Sequence, residues 1–255
     1  MNEETHLSLN TKIIAVCGKG GVGKTCISAL LTRLLSVDGK HKVLAIDADP
    51  AVGLSFALDM PVHKTVDDIR CEIIEKLHEQ QDKQTLVNQL DYELLSALIE
   101  KQNLAFLAIG RPEQDGCYCQ VNQLLKTIIH HLAHQFDYVI IDGEAGIEQI
   151  NRRVMEMVTH LLLVADVSHK ARHVALTIAD VGKKIIAYQK IGLLFNRVQS
   201  DDDIHSILQT SSVPVIGWLN EDSCLREMDR LGKSVFSISD NRSITSLNQF
   251  IVSFL

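Results

Sequence analysis

The sequence has no run of about 18 uninterrupted apolar residues, the length that a membrane-spanning helix needs. It also has no excess of positive charge: the formal net charge is −7, whereas proteins that bind nucleic acids or anionic membranes generally present a basic surface. The first residues, MNEETHLSLNTK, are acidic and polar and contain no signal-peptide core. These absences predict a cytoplasmic protein with neither a nucleic-acid nor a membrane partner.

Internal repeats, low-complexity tracts and linkers rich in Pro, Gly or Ser are absent as well. The 255 residues suit one large α/β domain or two small ones, and 46% of them are apolar, which is enough for a sizeable core. We therefore expect a single domain over residues 1–255. The interval 60–103, which is richer in charge and glutamine, predicts an insertion of two or three helices within it.

Short apolar runs alternate with helical patterns along the whole chain, which predicts a doubly wound, mostly parallel α/β sheet flanked by helices. At the end of the chain, Leu247, Phe250, Ile251 and Phe254 recur at helical spacing without a basic face, so we expect this helix to pack on the domain. The predicted strands are 12–17, 42–47, 104–110, 137–143, 161–166, 191–196 and 213–219. The predicted helices include 24–36, 119–135, 171–189 and 222–231.

The stretch GKGGVGKT directly follows the first predicted strand and directly precedes a helix. This is the context in which G-x-x-x-x-G-K-[ST] forms a phosphate-binding loop, because the glycines let successive N–H groups point at an anion. Lys24 can reach the β- and γ-phosphates, and the Thr25 hydroxyl can take one position on Mg²⁺. The pattern predicts a magnesium-dependent nucleotide hydrolase. The residues expected to contact the nucleotide here are Gly18, Lys19, Gly20, Gly21, Val22, Gly23, Lys24, Thr25 and Cys26.

Acidic side chains end two further apolar strands. Asp47 and Asp49 follow one strand, and Asp142 ends another, followed by Gly143. Because ligands of such sheets bind beyond the carboxyl ends of the strands, all three carboxylates are expected near the loop. Asp47 is a candidate magnesium ligand. Any one of these aspartates could instead cap a helix.

The second lysine of the loop, Lys19, is not required to hold phosphates within one chain. KGGVGKT resembles the deviant Walker A motif of the MinD/ParA/nitrogenase-iron-protein superfamily of P-loop ATPases. The resemblance implies a MinD-like fold and a nucleotide-dependent homodimer in which Lys19 reaches the partner's phosphates. It also implies that Asp49 activates the attacking water and that Asp142 lies in the second shell of the metal.

The base is predicted from the segment FNRVQSD, which follows a strand. Asn196 and Arg197 are the candidate nucleotide-binding residues there, but the acid that would read guanine is missing, so guanine readout is unsupported. Resemblance to deviant-loop ATPases implies that the nucleotide is ATP and that Asn196 lies against adenine. The segment VIGWLNED lacks the proline expected beside the base, which leaves the contacts around 217–222 open.

Two cysteines stand one residue apart in QDGCYCQ, after the third predicted strand and at the start of a helix. A helix N-terminus favours the thiolate form, so Cys117 and Cys119 are candidate metal ligands. One chain supplies only two sulfur ligands, whereas a twofold dimer would supply the four that a tetrahedral or square-planar ion needs. A regulatory thiol pair or buried packing remains open for these two. Small buried packing residues are expected at the other four cysteines: Cys17, Cys26, Cys71 and Cys224.

The order of KGGVGKT, GCYC and DGEAGIEQINR resembles the CooC-type ATPases that mature nickel enzymes. The resemblance implies ATP-driven dimerisation, Ni²⁺ or Zn²⁺ at a four-cysteine interface, and delivery to a client such as carbon monoxide dehydrogenase or acetyl-CoA synthase. The sequence leaves the client and the native metal open.

Two other functions remain as alternatives. A positioning or partition ATPase needs only the loop and a surface partner. A reductase of the nitrogenase-iron-protein type would need a second cysteine near the Asp142 segment, which contains none. The histidine pairs 130/134 and 169/173 have metal-binding spacing, but without a third ligand we expect solvated helix faces.

Overall fold

The computed structural model describes residues 11–76, 83–111, 119–144, 147, 150–151, 154, 156–208 and 211–255. Its strands are β1 Lys12–Cys17, β2 Val43–Asp47, β3 Ile99–Lys101, β4 Leu104–Ala108, β5 Tyr138–Asp142, β6 His160–Ala165, β7 Lys190–Val198 and β8 Val215–Asn220. Its helices are α1 Lys24–Ser36, α2 Gly53–Leu58, α3 Val66–Lys76, α4 Lys83–Ala97, α5 Cys119–Ala133, α6 His169–Ile185, α7 Asp201–Leu208, α8 Ser223–Arg230 and α9 Arg242–Phe254, with a short 3-10 helix at Val235–Ser237.

The strands form one sheet in the order β3-β4-β2-β5-β1-β6-β7-β8. Every neighbouring pair is parallel except β3 and β4 at the edge. Strands β2, β4 and β6 are buried at every position, because helices cover both faces of the sheet. The predicted doubly wound, mostly parallel sheet is confirmed.

The register of the central strands brings the two acidic strand ends together. Asp47 at the end of β2 lies directly opposite Asp142 at the end of β5, and Val16 of β1 is in register with Asp142 on its other side. The turn that follows β1 therefore begins beside both carboxylates. This shared carboxyl edge positions the candidate site.

The interval 60–103 contains α3, α4 and the edge strand β3. Lys64 joins the two helices, because its Nζ lies 2.8 Å from a carboxylate oxygen of Glu72 and 2.8 Å from one of Glu93. The predicted helices are confirmed, whereas the three-residue strand β3 was not predicted. The assignment of this interval as an insertion in a single domain stays a prediction.

The C-terminal helix α9 packs against β8, as its apolar spacing predicted. Leu247, Ile251 and Phe254 are buried, and the Lys190 ammonium donates a 3.1 Å hydrogen bond to the carbonyl of Phe254. Gly217 of β8 lies under the Phe250 ring, so close that a Cβ there would stand 2.4 Å from a ring carbon. Among the helices of the described residues, none has the length and apolar character needed to cross a membrane.

Candidate nucleotide-binding site

The glycine-rich loop runs from the end of β1 to the first residue of α1. Gly23, with φ 94°, caps the helix without a side-chain hydrogen bond, so the first N–H groups of α1 are directed at whatever lies in the loop. A Cβ at Gly20 or Gly21 would meet nothing within 4 Å, whereas one at Gly18 would stand 2.1 Å from the carbonyl oxygen of Val164. The loop is thus packed against β6 at its base and open at its tip, as a phosphate cradle requires.

Both predicted lysines belong to this loop. Lys24 is only 8% exposed, and its ammonium donates a 3.4 Å hydrogen bond to the carbonyl of Lys19. The Lys19 side chain is half-buried. A buried cation at a helix N-terminus suits a polyanion, because Coulomb attraction is stronger where water is partly excluded. The reach of Lys19 into a partner chain stays a prediction.

Asp47 is fully buried below the loop. Its two carboxylate oxygens accept backbone N–H bonds from Asp49 at 3.0 Å and from Leu54 at 2.8 Å. Burial, followed by the neighbouring charge of Asp142, raises the pKa of Asp47 to about 7. Asp47 therefore holds the turn between β2 and α2 in place.

Asp142 is the neighbouring buried carboxylate. Its Oδ1 accepts a 2.9 Å hydrogen bond from the Ser28 hydroxyl, while its buried Oδ2 has no hydrogen-bond partner. Burial raises the pKa of Asp142 to about 6, and the hydroxyls of Thr25 and Ser28 and the charge of Lys24 oppose that rise. An unpartnered buried carboxylate oxygen is costly unless a cation or a water meets it. The hard oxygen donors of Asp142 and Thr25 fit Mg²⁺ and its water shell.

Asp49 begins a tight turn rather than pointing freely into the site. Its Oδ1 accepts a 2.9 Å hydrogen bond from the N–H of Ala51. Val52, which follows, has φ 51° and ψ 40°, a left-handed conformation that is strained for a β-branched residue. The turn therefore stores strain beside the loop. The water-activating role of Asp49 stays a prediction.

Asn196 and Arg197, near the end of β7, hold the glycine-rich loop by hydrogen bonds. The Asn196 amide donates a 2.9 Å hydrogen bond to the carbonyl of Val22, and the Arg197 guanidinium donates one of 2.9 Å to the carbonyl of Gly21. Arg197 does so with φ 60°. Sequence reasoning missed this bracing role, because the contacts join residues about 174 positions apart. The contact of Asn196 with adenine stays a prediction.

The six cysteines lie in different places in the fold. Cys117 lies outside the described residues, and Cys119 is the first residue of α5. Cys17 is buried, and Cys26 and Cys71 are half-buried. Cys26 keeps its proton near neutral pH, because burial raises its pKa to about 11. The expectation of burial is wrong for Cys224, which is exposed in the first turn of α8.

The two histidine pairs differ from one another. His169 and His173 are exposed, as predicted. His130 and His134 are half-buried, with their Nε2 atoms 3.2 Å apart, so the expectation of a solvated face is wrong for them. Burial, with the charges of His134 and His131, lowers the pKa of His130. Within the described part of the chain, three or more metal-ligating side chains do not meet at any one place.

Comparison with known proteins places this site in a family. Residues 13–235 match the family model described as the CobQ/CobB/MinD/ParA nucleotide binding domain. An uncharacterised ATP-binding protein of Methanocaldococcus jannaschii is 34% identical over 238 residues, covering 91% of this chain and 93% of the relative. The carbon monoxide dehydrogenase accessory protein CooC of Rhodospirillum rubrum is 28% identical over 242 residues, covering 89% and 90%.

Solved structures agree on the fold. The septum site-determining protein MinD of Pyrococcus horikoshii OT3, complexed with Mg-ADP, superposes with a TM-score of 0.69 at 22% identity, covering 94% of both chains. A ParA family ATPase of Chlorobium tepidum TLS has the same TM-score at 20% identity, covering 94% of this chain and 98% of that one. The loop, the buried carboxylates and these matches lead to one conclusion: the chain belongs to the CobQ/CobB/MinD/ParA family and is an ATPase.

Proposed function

We propose that this ATPase is a metallochaperone. It dimerises with ATP, holds Ni²⁺ or Zn²⁺ between the cysteine pairs of two chains, and assists nickel insertion into a client such as carbon monoxide dehydrogenase or acetyl-CoA synthase. The observation that carries the proposal is the Cys117-Tyr118-Cys119 motif, which ends at the first residue of α5. The 28% identity with CooC over most of both chains supports it.

ATP binding and hydrolysis depend on the glycine-rich loop in this proposal. The N–H groups of α1 and the ammonium of Lys24 bind the phosphates, and Thr25 would hold Mg²⁺ with Asp142 behind it through water. Mg²⁺ would neutralise charge on the phosphate oxygens as the bond breaks. Asp49 orients the attacking water once it leaves the N–H of Ala51. Lys19 supplies a positive charge to the partner's γ-phosphate, where negative charge gathers in the transition state.

A short hydrogen-bonded path connects this site with the segment that leads to the cysteines. Strand β4 lies beside β2, and the N–H of Ile109, just after β4, donates a 2.8 Å bond to the carbonyl of Asp47. The carbonyl of Ile109 in turn accepts a 2.9 Å bond from the N–H of Asp67 at the start of α3. Movement of the Asp47–Asp49 turn on nucleotide exchange would therefore be transmitted to Ile109, from which the chain leads to Cys117.

The metal half is tested by anaerobic titration with Ni²⁺ and with Zn²⁺, followed by native mass measurement. Wild type is expected to bind one ion per dimer at the cysteine pairs, in addition to any ion bound elsewhere in each chain. The Cys117→Ala/Cys119→Ala variant is expected to lose that ion, because two sulfur ligands from each chain complete the site. Cys224→Ala is the matched control, since this thiol is exposed but belongs to another helix. Equal binding by all three proteins would overturn the metal assignment and favour a positioning ATPase.

The dimer half is tested with Lys19→Ala. ATP binding should persist, because Lys24 and the N–H groups of α1 remain, while ATP-dependent dimerisation and hydrolysis should fall together. Lys40→Ala, which removes an exposed lysine elsewhere, is the control. A Lys19→Ala protein with full hydrolysis and full dimerisation would exclude the cross-subunit role.

A further inference from the structure

A second arrangement of metal-ligating atoms lies at the carboxyl end of α5, formed by His130 in its last turn and His134 directly after it. The Nε2 atoms of His130 and His134 point at each other across 3.2 Å, and the two rings meet edge to face with centroids 4.4 Å apart. Both side chains are half-buried. The same sequence spacing on α6 gives a different result: His169 and His173 stack in parallel with centroids 6.4 Å apart.

The separation of the two Nε2 atoms is that of ligands on one ion. Two imidazole nitrogens that each lie about 2.0–2.1 Å from an ion are about 2.8–3.4 Å apart when the angle at the ion is between about 90° and 109°. The observed 3.2 Å falls inside this interval. Without an ion, one ring donates its Nε2 proton to the other. Moving that proton to Nδ1 of the same ring frees the second lone pair, with no net change in protons.

The surroundings favour a cation. The pair lies at the carboxyl end of α5, where the helix dipole is negative. His130 lines a pocket of about 290 Å³ together with Lys126, Glu156 and the exposed Met157, which leaves room for waters to complete the coordination. The nearby ammonium of Lys126 is neutralised by the Glu156 carboxylate at 2.7 Å.

We propose that His130 and His134 form a binding site for a divalent transition cation that prefers imidazole, such as Ni²⁺, Cu²⁺ or Zn²⁺. The ion is held by the two Nε2 atoms and by water from the adjoining pocket. It is separate from any ion on the cysteines, because about 16 Å of helix lies between Cys119 and His130. Each chain carries one such site, so its stoichiometry is one ion per chain rather than one per dimer.

The test uses the full-length Cys117→Ala/Cys119→Ala protein, free of nucleotide, titrated with Ni²⁺ by calorimetry. One ion per chain is expected. Adding His130→Ala or His134→Ala should weaken binding at least about tenfold, because one of two protein ligands is lost. Adding His169→Ala/His173→Ala should change nothing, since that pair has the same spacing but stacked rings with centroids 6.4 Å apart. Thermal unfolding of each variant checks the fold.

A second measurement leaves the histidines intact. In the same Cys117→Ala/Cys119→Ala protein, Zn²⁺ is expected to shift the ring-nitrogen resonances of His130 and His134 and to leave those of His169 and His173 in place. Unshifted resonances at His130 and His134, or equal loss of Ni²⁺ affinity in the α6 control, would overturn the site. Because Cys117 and Cys119 are absent throughout, these outcomes do not depend on the proposed metallochaperone function.

Discussion

Two buried ionisable sites lie at opposite ends of the same sheet and serve opposite purposes. At the carboxyl end, Asp47 and Asp142 lie beneath the nucleotide loop, and an oxygen of Asp142 has no partner. At the other end, His160 begins β6, bonds through Nδ1 to the Thr159 hydroxyl at 2.7 Å, and stacks edge to face on Phe254 of α9. Each site keeps one buried atom without a hydrogen-bond partner, Oδ2 of Asp142 and Nε2 of His160, but the first faces the nucleotide loop and the second packs against α9.

The two sites also respond to pH in opposite directions. Burial raises the pKa of Asp142 to about 6, so its protonated form fits the fold and stability is lost as pH rises through that value. Burial, followed by the charges of Lys190 and Lys12, lowers the pKa of His160 to about 4, so stability is lost as pH falls from 6.5 toward 4. Near neutral pH the buried charge of Asp142 therefore lowers the stability of the fold, whereas His160 is buried in its neutral form.

The largest effect is expected from Lys24→Ala at the functional end. Hydrolysis should fall about 1,000-fold, equivalent to about 4 kcal/mol of transition-state stabilisation, because a buried cation beside the phosphates is removed. The variant should still unfold in one cooperative transition. Steady-state hydrolysis and urea unfolding measure both, with Lys40→Ala as control. A Lys24→Ala protein that keeps its hydrolysis rate would contradict the phosphate assignment.

Leu247→Ala tests the packing of α9 at the other end of the sheet. This side chain lies on the buried face of α9 and is fully buried, so its truncation should cost about 3 kcal/mol of unfolding free energy while hydrolysis per folded molecule stays unchanged. Val252→Ala on the same helix removes an exposed side chain and should stay within about 0.5 kcal/mol of wild type. Urea unfolding separates the two. Equal costs for both variants would mean that α9 is not docked as described.

The opposed pH responses are tested by Asp142→Asn and His160→Leu. Between pH 4 and 7.5, Asp142→Asn should lessen the loss of stability that wild type suffers as pH rises, while Asp47, whose pKa burial raises to about 7, should keep the remainder. His160→Leu should remove a loss of up to about 3 kcal/mol as pH falls from 6.5 to 4. Urea unfolding of nucleotide-free protein across this range measures both slopes. Variants whose slopes match wild type would disprove the titration of these two groups.

The smallest effect is expected from Arg197→Ala. One hydrogen bond to the Gly21 carbonyl is lost at an exposed position, which should weaken ATP binding by about 0.5–1.5 kcal/mol, or about two- to tenfold. Arg226→Ala, at an exposed arginine of α8, is the control. Nucleotide titration by fluorescence resolves the difference. A greater loss in the control would show that the bracing contact does not matter.

The position of the loop and the meeting of Asp47 with Asp142 could be predicted from the sequence, whereas the roles of these residues stay predictions. The loop is a contiguous motif, and Asp47 and Asp142 meet because parallel strands end at one edge. The structural details depend on contacts distant in sequence, which no local pattern encodes. Bracing by Asn196 and Arg197, the edge strand β3 and the exposure of Cys224 all depend on how finished elements pack. His130 and His134 show the same limit, since identical spacing on α6 gives stacked exposed rings.

The central claim is that nucleotide binding at one end of the sheet organises the cysteine pair between two chains. Native mass spectrometry under anaerobic conditions tests it directly, with Zn²⁺ and with either ADP or a non-hydrolysable ATP analogue. With the analogue, wild type is expected to form a dimer that carries one ion more than the Cys117→Ala/Cys119→Ala dimer. Identical ion counts in the two proteins, in both nucleotide states, would contradict it.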